Sequence, residues 1–170
     1  MIALLTSLLL AQDMTAKPVK EHEVLKKFEG EWDCVMKFMM EPGKEPMVSK
    51  GTESCKLIMG GLFLITTVDA EMLGGKFFGH GIMGYDVQKK KYTGSWVDSM
   101  ATGQYTVEGT LEGNVLTETM EGSDPASGQP FKMKLIHELK DKDNRVMKFV
   151  MTGPDGKDLE TGGITYTRKK

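Results

Sequence analysis

Two histidines could do acid–base or metal chemistry, because strand-like alternation directs each side chain toward an apolar face. His80 alternates with Phe78 and Ile82, and His137 lies on the apolar face of the segment 131–139. An imidazole titrates near neutral pH, so it can act as a general acid or base or bind a metal. A histidine on an apolar face is also commonly satisfied by a neighbouring hydroxyl or carbonyl group. The sequence leaves both interpretations open.

A carboxylate and a hydroxyl stand side by side at Asp98 and Ser99. Inside a barrel they could join His80 or His137 as nucleophile and general base. The chain has no Gly-x-Ser-x-Gly elbow, and neither histidine has a nucleophile and an orienting acid nearby in sequence. We therefore assign no catalytic residues. An enzyme site of His80, His137 and Asp98 remains an alternative, and a hydrogen-bonded aspartate at a strand end is the simpler interpretation of Asp98.

Cys34 and Cys55 are the only cysteines. They fall on the same side of neighbouring predicted strands, so a cross-strand disulfide is one interpretation in an oxidising compartment. Two free buried thiols that pack as small apolar side chains are the simpler interpretation. The spacings His-Glu-x-x-His and Cys-x-x-Cys are absent, so we predict no metal site and no cofactor.

One helix and about ten strands would position these residues. The segment 18–28 starts with proline, keeps an apolar stripe at helical spacing and is followed by Gly30, which is typical of a short helix. Beyond it, alternating β-branched, aromatic and Met residues are interrupted by Gly, Pro, Asp or Lys clusters. We predict strands at 32–40, 47–58, 62–71, 76–85, 91–98, 103–110, 115–121, 130–139, 145–152 and 162–168.

The connections between these strands are short and turn-like, which forces sequential strands to pair antiparallel. A meander of this length removes its exposed edges most simply by closing into a barrel. The predicted fold is therefore all-β, an antiparallel meander closed into an 8–10 stranded barrel with one short N-terminal helix. A β-sandwich is the alternative.

Composition fits one domain that does not bind nucleic acid. The chain of 170 residues is long enough to bury its own core, and no linker or repeat divides residues 16–170. Its 22 Lys and Arg against 24 Asp and Glu leave a net charge of -2, which gives no basic field for phosphate backbones. The 20 Gly agree with turn-rich β structure, and the 14 Met suit an irregular core or a flexible binding surface.

The first residues predict a targeting segment. Residues 1–11 are almost wholly apolar and too few to span a bilayer, and a small residue, Ala11, could mark a cleavage position. No Lys or Arg precedes Lys17, so the usual positive start is missing, and a buried N-terminal strand or helix is the alternative. We expect a signal peptide at 1–11 and a periplasmic or secreted protein.

Strand alternation also predicts which side chains face a barrel interior rich in Met and aromatic residues. Such an interior either fills with side chains or holds one small apolar or amphipathic molecule, and we expect the latter. A filled barrel that acts as an interaction module through its outer surface is the alternative. The predicted ligand-binding residues are Met36, Phe38, His80, Tyr92, Trp96, Asp98, Met133, His137, Met147 and Phe149.

Two short signatures resemble the lipocalin-like (calycin) superfamily. They are Gly30-Glu31-Trp32 at the start of the first strand, after a short helix, and Arg168 on the last strand. In that superfamily a tryptophan at this place packs against an arginine from the end of the chain and closes the barrel. The resemblance implies that Trp32 and Arg168 do the same here.

A longer stretch, roughly residues 20–110, resembles the family named domain of unknown function 1579. The shared elements are the helix that leads to Gly30-x-Trp32, then Gly60-Gly61-Leu62-Phe63-Leu64, Gly81-x-x-Gly84-Tyr85-Asp86 and Tyr92-x-Gly94-x-Trp96-x-Asp98-Ser99-Met100. That family implies a fold and no established activity. A solitary inward histidine in such a barrel also resembles the proximal haem ligand of the nitrobindin group, so haem binding through His137 is a further alternative.

Overall fold

The computed structural model describes residues 15–39, 44–72, 74–153 and 156–170. The predicted signal peptide lies outside these residues, as does the last predicted residue of the first strand, Met40. Within them, no helix is both long enough and apolar enough to cross a membrane.

Ten antiparallel strands form one closed barrel, in which each strand pairs with its neighbours in sequence and the last pairs with the first. This confirms the all-β barrel prediction and excludes the β-sandwich. Closure gives each of the described strands a hydrogen-bonded neighbour on both sides. The strands are β1 (Gly30–Phe38), β2 (Met47–Ile58), β3 (Phe63–Met72), β4 (Gly75–Asp86), β5 (Lys91–Asp98), β6 (Tyr105–Glu112), β7 (Val115–Ser123), β8 (Pro130–Leu139), β9 (Asn144–Thr152) and β10 (Asp158–Arg168).

A short helical segment precedes the barrel, as the sequence predicts. It starts as a 3₁₀ turn at Lys20–Val24 and continues as the α-helix α1 (Leu25–Phe28). Leu25 and Phe28 are buried where the segment covers one end of the barrel. We call this the closed end. Its core consists of Leu25, Phe28, Leu64, Tyr92, Leu116 and Leu139 with their neighbours.

Trp32 and Arg168 lock the closed end. The two residues are paired across β1 and β10, and the Arg168 guanidinium lies 4.0 Å from the centre of the Trp32 ring. Trp32 Nε1 donates a hydrogen bond of 2.8 Å to the carbonyl of Phe28, which ties the first strand to α1. Arg168 donates to the carbonyls of Lys27 and Glu29, so the last strand holds the helix from the other side. The closure that the resemblance implies is therefore present.

Strand direction places the two ends of the barrel consistently. Strands β1, β3, β5, β7 and β9 start at the closed end, and the even-numbered strands return to it. The opposite end is formed by the connections after β1, β3, β5, β7 and β9. We call it the open end, because the helical segment does not cover it.

Candidate functional site

A cavity of about 390 Å³ runs inside the barrel from the closed end toward the open end. Phe28 of α1 forms its floor, while Asp98 and Met100 lie near the open end of β5. Ligand cavities of small-molecule sites measure about 300–1,000 Å³, so the space suits one small molecule. The barrel is hollow, which disfavours the filled-barrel alternative.

Most of the cavity wall is apolar, and methionine is its commonest residue. Among the described residues, seven methionines line it, together with four phenylalanines, Trp96 and several aliphatic side chains. Unbranched, polarizable Met side chains repack at low cost, so such a wall can follow ligands of different shapes. The lining methionines are Met36, Met72, Met83, Met100, Met120, Met133 and Met147.

A buried ion pair lies above the floor. Arg145 of β9 points inward and its guanidinium pairs with the carboxylate of Glu53 on β2, both almost fully buried. The guanidinium also stacks on the Tyr166 ring at 3.6 Å and lies 4.7 Å from the Trp32 ring. Burial opposes the charge of Arg145, but Glu53 and the neighbouring Tyr166 raise its pKa above the ordinary value. Arg145 is therefore a fixed cation.

Tyr166 and Cys55 complete the surroundings of this pair. Cys55 Sγ donates to Glu53 Oε1 at 2.9 Å, so Glu53 accepts from a thiol as well as from Arg145. Burial holds the pKa of the Cys55 thiol and of the Tyr166 phenol far above their ordinary values. Both groups therefore stay neutral, and the opposite charges of Arg145 and Glu53 compensate each other.

A second buried carboxylate faces His137. Glu118 of β7 is 5% exposed, and its Oε2 lies 2.9 Å from His137 Nε2. The two groups are close, but neither ring nitrogen of His137 has a hydrogen-bond partner in the part of the chain that the structure describes, so the contact lacks the directional geometry of a hydrogen bond. Phe28 packs edge-on against the imidazole, with 5.9 Å between ring centres. His137 is thus held at the closed end between an aromatic ring and a carboxylate.

At the open end, Asp98 is already satisfied. Its carboxylate accepts from Trp96 Nε1 and from the backbone N–H of Met100, each at 2.9 Å. The hydroxyl of Ser99 accepts from the backbone N–H of Phe78 at 3.1 Å. Asp98 is therefore the hydrogen-bonded strand-end aspartate of the simpler interpretation.

Eight of the ten predicted ligand-binding residues line the cavity. They come from four strands, β1, β5, β8 and β9, and the alternation of each strand turns them inward. They are Met36, Phe38, Trp96, Asp98, Met133, His137, Met147 and Phe149.

The other two predicted residues, His80 and Tyr92, lie elsewhere. His80 is exposed on the outer face of β4, where Nδ1 lies 3.1 Å from Thr67 Oγ1. Its neighbours Phe78 and Ile82 are exposed on the same outer face. The prediction that His80 points inward is therefore wrong, because these apolar residues lie on the outside of the barrel. Tyr92 faces inward but is packed beneath the cavity, where its hydroxyl donates to the Glu21 carbonyl at 2.8 Å.

The structure separates the three residues of the alternative enzyme site. His80 lies outside the barrel, His137 at its closed end and Asp98 near its open end. Proton transfer needs groups within hydrogen-bond reach. These three residues cannot act as one site.

Sequence reasoning missed Arg145, Glu53 and Glu118. Each sits at an inward position of its strand, since Arg145 alternates with Met147 and Glu118 alternates with Met120. The sequence does contain a signal for them, namely a charged residue that alternates with apolar residues on the same face of a strand. Such a residue needs a partner inside the barrel.

The two cysteines are free and buried. Cys34 pairs with Gly51 across β1 and β2, whereas Cys55 pairs with Gly30, so they are four register positions apart, roughly 13 Å along the strands. A disulfide needs Cα atoms within about 7 Å. The cross-strand disulfide is excluded in this fold, and burial raises the pKa of Cys34 to about 12.

Within residues 15–39, 44–72, 74–153 and 156–170, no three His, Cys, Asp or Glu side chains cluster as a metal site would require. His137 does not fit haem ligation as it stands either, because its Nε2 faces the Glu118 carboxylate. Ligation through that nitrogen would displace a buried carboxylate from its nearest partner.

The family model described as "Protein of unknown function (DUF1579)" matches residues 17–168. No curated protein matches the chain in sequence. Among solved structures, the chain resembles Rv2717c from M. tuberculosis, with a TM-score of 0.64 and 13% identity, covering 91% of this chain and 100% of that one. It also resembles the S-type phycobiliprotein lyase CPES from Guillardia theta, with a TM-score of 0.50 and 10% identity, covering 89% and 94%. At such identities the similarity shows the fold, and both are lipocalin-like barrels. The chain belongs to the DUF1579 family and folds as a lipocalin-like barrel.

Proposed function

We propose that this protein binds one small, mainly apolar ligand inside the barrel. The observation that carries the proposal is the cavity of about 390 Å³, walled by Met and aromatic side chains. Well-packed interiors leave few voids larger than a water molecule, so a space of this size is not ordinary packing. Moving an apolar molecule from water into it would be favourable by about 25 cal/mol for each Å² of apolar surface removed from water.

The two ends of the cavity support a ligand that enters from the open end and stops at the floor. Phe28 and the Arg145–Glu53 pair block the closed end, and Trp32 with Arg168 fixes the helix beneath them. Flexible Met100 and Met72 lie toward the open end, where they can give way to an incoming molecule. The similarity to a phycobiliprotein lyase is one of fold, so it supports a ligand-holding barrel without defining the ligand.

A titration with an uncharged, environment-sensitive fluorescent probe tests the proposal. We expect saturable binding with a blue-shifted emission. Replacing Met133, which lines the cavity, by Trp should fill the space and weaken probe binding by about tenfold or more. Native mass spectrometry of the purified protein should in addition show a co-purified small molecule.

The matched control is Lys132→Trp. Lys132 is the preceding residue on β8 and points outward, where it pairs with Glu121. This variant adds the same indole to the outer surface and should bind the probe like the unmodified protein. Equal binding by both variants, with both folded by circular dichroism, would refute binding inside the barrel.

We further propose that the protein is exported. The support is the apolar segment 1–11 followed by the polar residues Gln12 and Asp13. Expression of the full chain in a bacterium, followed by fractionation and mass measurement, should show a mature form that begins after Ala11. A full-length form that stays in the cytoplasm would contradict export and leave the binding proposal standing.

A further inference from the structure

Acidic side chains outnumber basic ones among the ionisable groups that line the cavity. Among the described residues they comprise three carboxylates, Glu53, Asp98 and Glu118, against the single guanidinium of Arg145 and the imidazole of His137. The described lining therefore holds two more carboxylates than guanidinium groups, and it is surrounded by apolar walls that screen charge poorly.

Arg145 is not free to receive an anion. It is already paired with Glu53 and enclosed by the rings of Tyr166, Trp32 and Phe28. A ligand carboxylate would have to displace Glu53 and leave that side chain buried without its partner. Removing one member of a buried ion pair is strongly unfavourable.

Glu118 is the buried carboxylate that lacks a permanently charged partner among the described residues. Its side chain lines the cavity and is only 5% exposed. Among the described residues, His137 is its only ion-pair partner within 4.0 Å. That contact is not a hydrogen bond, since both nitrogens of His137 are without one. A buried carboxylate without a hydrogen-bond donor is costly, and an ammonium group would supply both the charge and the donors.

We propose that the ligand is a cationic amphiphile, an apolar body that ends in a protonated amine. Its ammonium group is bound by Glu118 beside His137, above the cavity floor, and its apolar part lies along the Met-rich wall. This inference rests on the proposed function and narrows it. The cavity accepts a neutral molecule less well and rejects an anionic one, because like charges in a desolvated site repel.

Three ten-carbon ligands that differ only in the head group test the inference: decylamine, 1-decanol and decanoate. Each is titrated near pH 8 against the full chain loaded with the uncharged probe, where the amine is protonated and the carboxylate is ionised. Decylamine should displace the probe at about one tenth of the decanol concentration or less, and decanoate should require more than decanol. If decanoate is the strongest competitor, the inference is overturned while ligand binding stands.

Glu118→Gln locates the ammonium site. It should weaken decylamine by about tenfold and leave decanol nearly unchanged. Glu121→Gln, on the same strand but at an exposed position, removes an outward carboxylate and should change neither ligand. Equal effects of Glu118→Gln on decylamine and decanol would overturn the assignment to Glu118.

If Glu118→Gln does not fold, the ranking of the three ligands on the unmodified chain decides the inference alone. If the probe itself does not bind, the proposed function fails rather than the choice of head group.

Discussion

At the scale of single residues, the barrel interior combines an apolar wall with charges that are held in place by other residues. Arg145 is the clearest example, because it is almost fully buried yet paired with Glu53 and stacked on Tyr166. Such a pair contributes little net stability relative to an apolar pair of similar size, but removal of one partner exposes the other to the full cost of burial.

Arg145→Met should therefore destabilise the protein strongly, by about 3–5 kcal/mol, because Glu53 is left charged and unpaired. The double variant Arg145→Met with Glu53→Leu should recover much of this loss. Urea unfolding followed by far-UV circular dichroism measures both. Strictly additive effects of the two substitutions would show that the pair is not coupled as described.

Cys34 makes stability fall in alkali. Burial raises its pKa to about 12 in the folded state, so the unfolded thiol ionises first as the pH rises. Protons are then lost from the unfolded state, and the free energy of unfolding decreases above about pH 8.5. Between about pH 8 and pH 10 the loss from this one group is about 2 kcal/mol.

Cys34→Ala should reduce that alkaline decline by the same amount. The comparison is made on the slope with pH and not on stability at one pH, because the substitution also removes a buried atom. Thermal unfolding at a series of pH values measures it. An unchanged slope would mean that the thiol ionises equally in both states.

The sequence alone predicts the inward positions of the apolar residues that line the cavity. The inward positions of Met36, Met133 and Met147 follow from period-two alternation and are found in the structure. The inward position predicted for His80 is wrong, because the outer face of β4 is apolar and shows the same alternation as an inner face. The partners Arg145 and Glu53 lie 92 positions apart in sequence, and only the closed barrel brings them together.

At the scale of elements, the connection between the helix and the last strand matters most. Arg168 donates to carbonyls of Lys27, Glu29 and Lys142 while it covers the Trp32 ring. It thereby joins α1, β1, β10 and the turn before β9. Gly30 makes room for it, since its φ of +127° suits glycine and an added Cβ would collide with the guanidinium.

Arg168→Leu should lower the free energy of unfolding by about 2 kcal/mol, because three carbonyl contacts and the ring contact are lost together. Lys169→Leu is the matched control. Lys169 is adjacent, more exposed and only 3.7 Å from Asp33, so it should change stability by less than about 0.5 kcal/mol. Chemical unfolding monitored by tryptophan fluorescence measures both, and equal losses would contradict a special closing role for Arg168.

Element boundaries show why sequence patterns stop short of the structure. The sequence predicts the last strand from residue 162, but β10 begins at Asp158, and its pairing with β9 shifts between Glu160 and Gly162. The irregularity breaks the alternation on which strand prediction depends. Likewise the predicted helix is mostly a 3₁₀ turn, because contacts with the barrel end and not helical propensity set its geometry.

At the scale of the whole molecule, short connections between alternating strands were sufficient to predict a closed meander, and the residues at Trp32 and Arg168 indicated how it closes. Alternation does not predict whether the interior is hollow, because filled and empty barrels have the same pattern of inward and outward residues. Whether side chains meet in the middle depends on strand number and tilt, which only the closed barrel defines.

The proposed ligand site is the interior of the barrel. The most direct test is a crystal structure of the full chain with a bound bromoalkane, located by the anomalous signal of bromine. We expect a bromine position inside the barrel, between Met36 of β1 and Met133 of β8. Bromine found only on the exposed apolar surface around Phe78 and Ile82, with the interior filled by rearranged side chains, would contradict it.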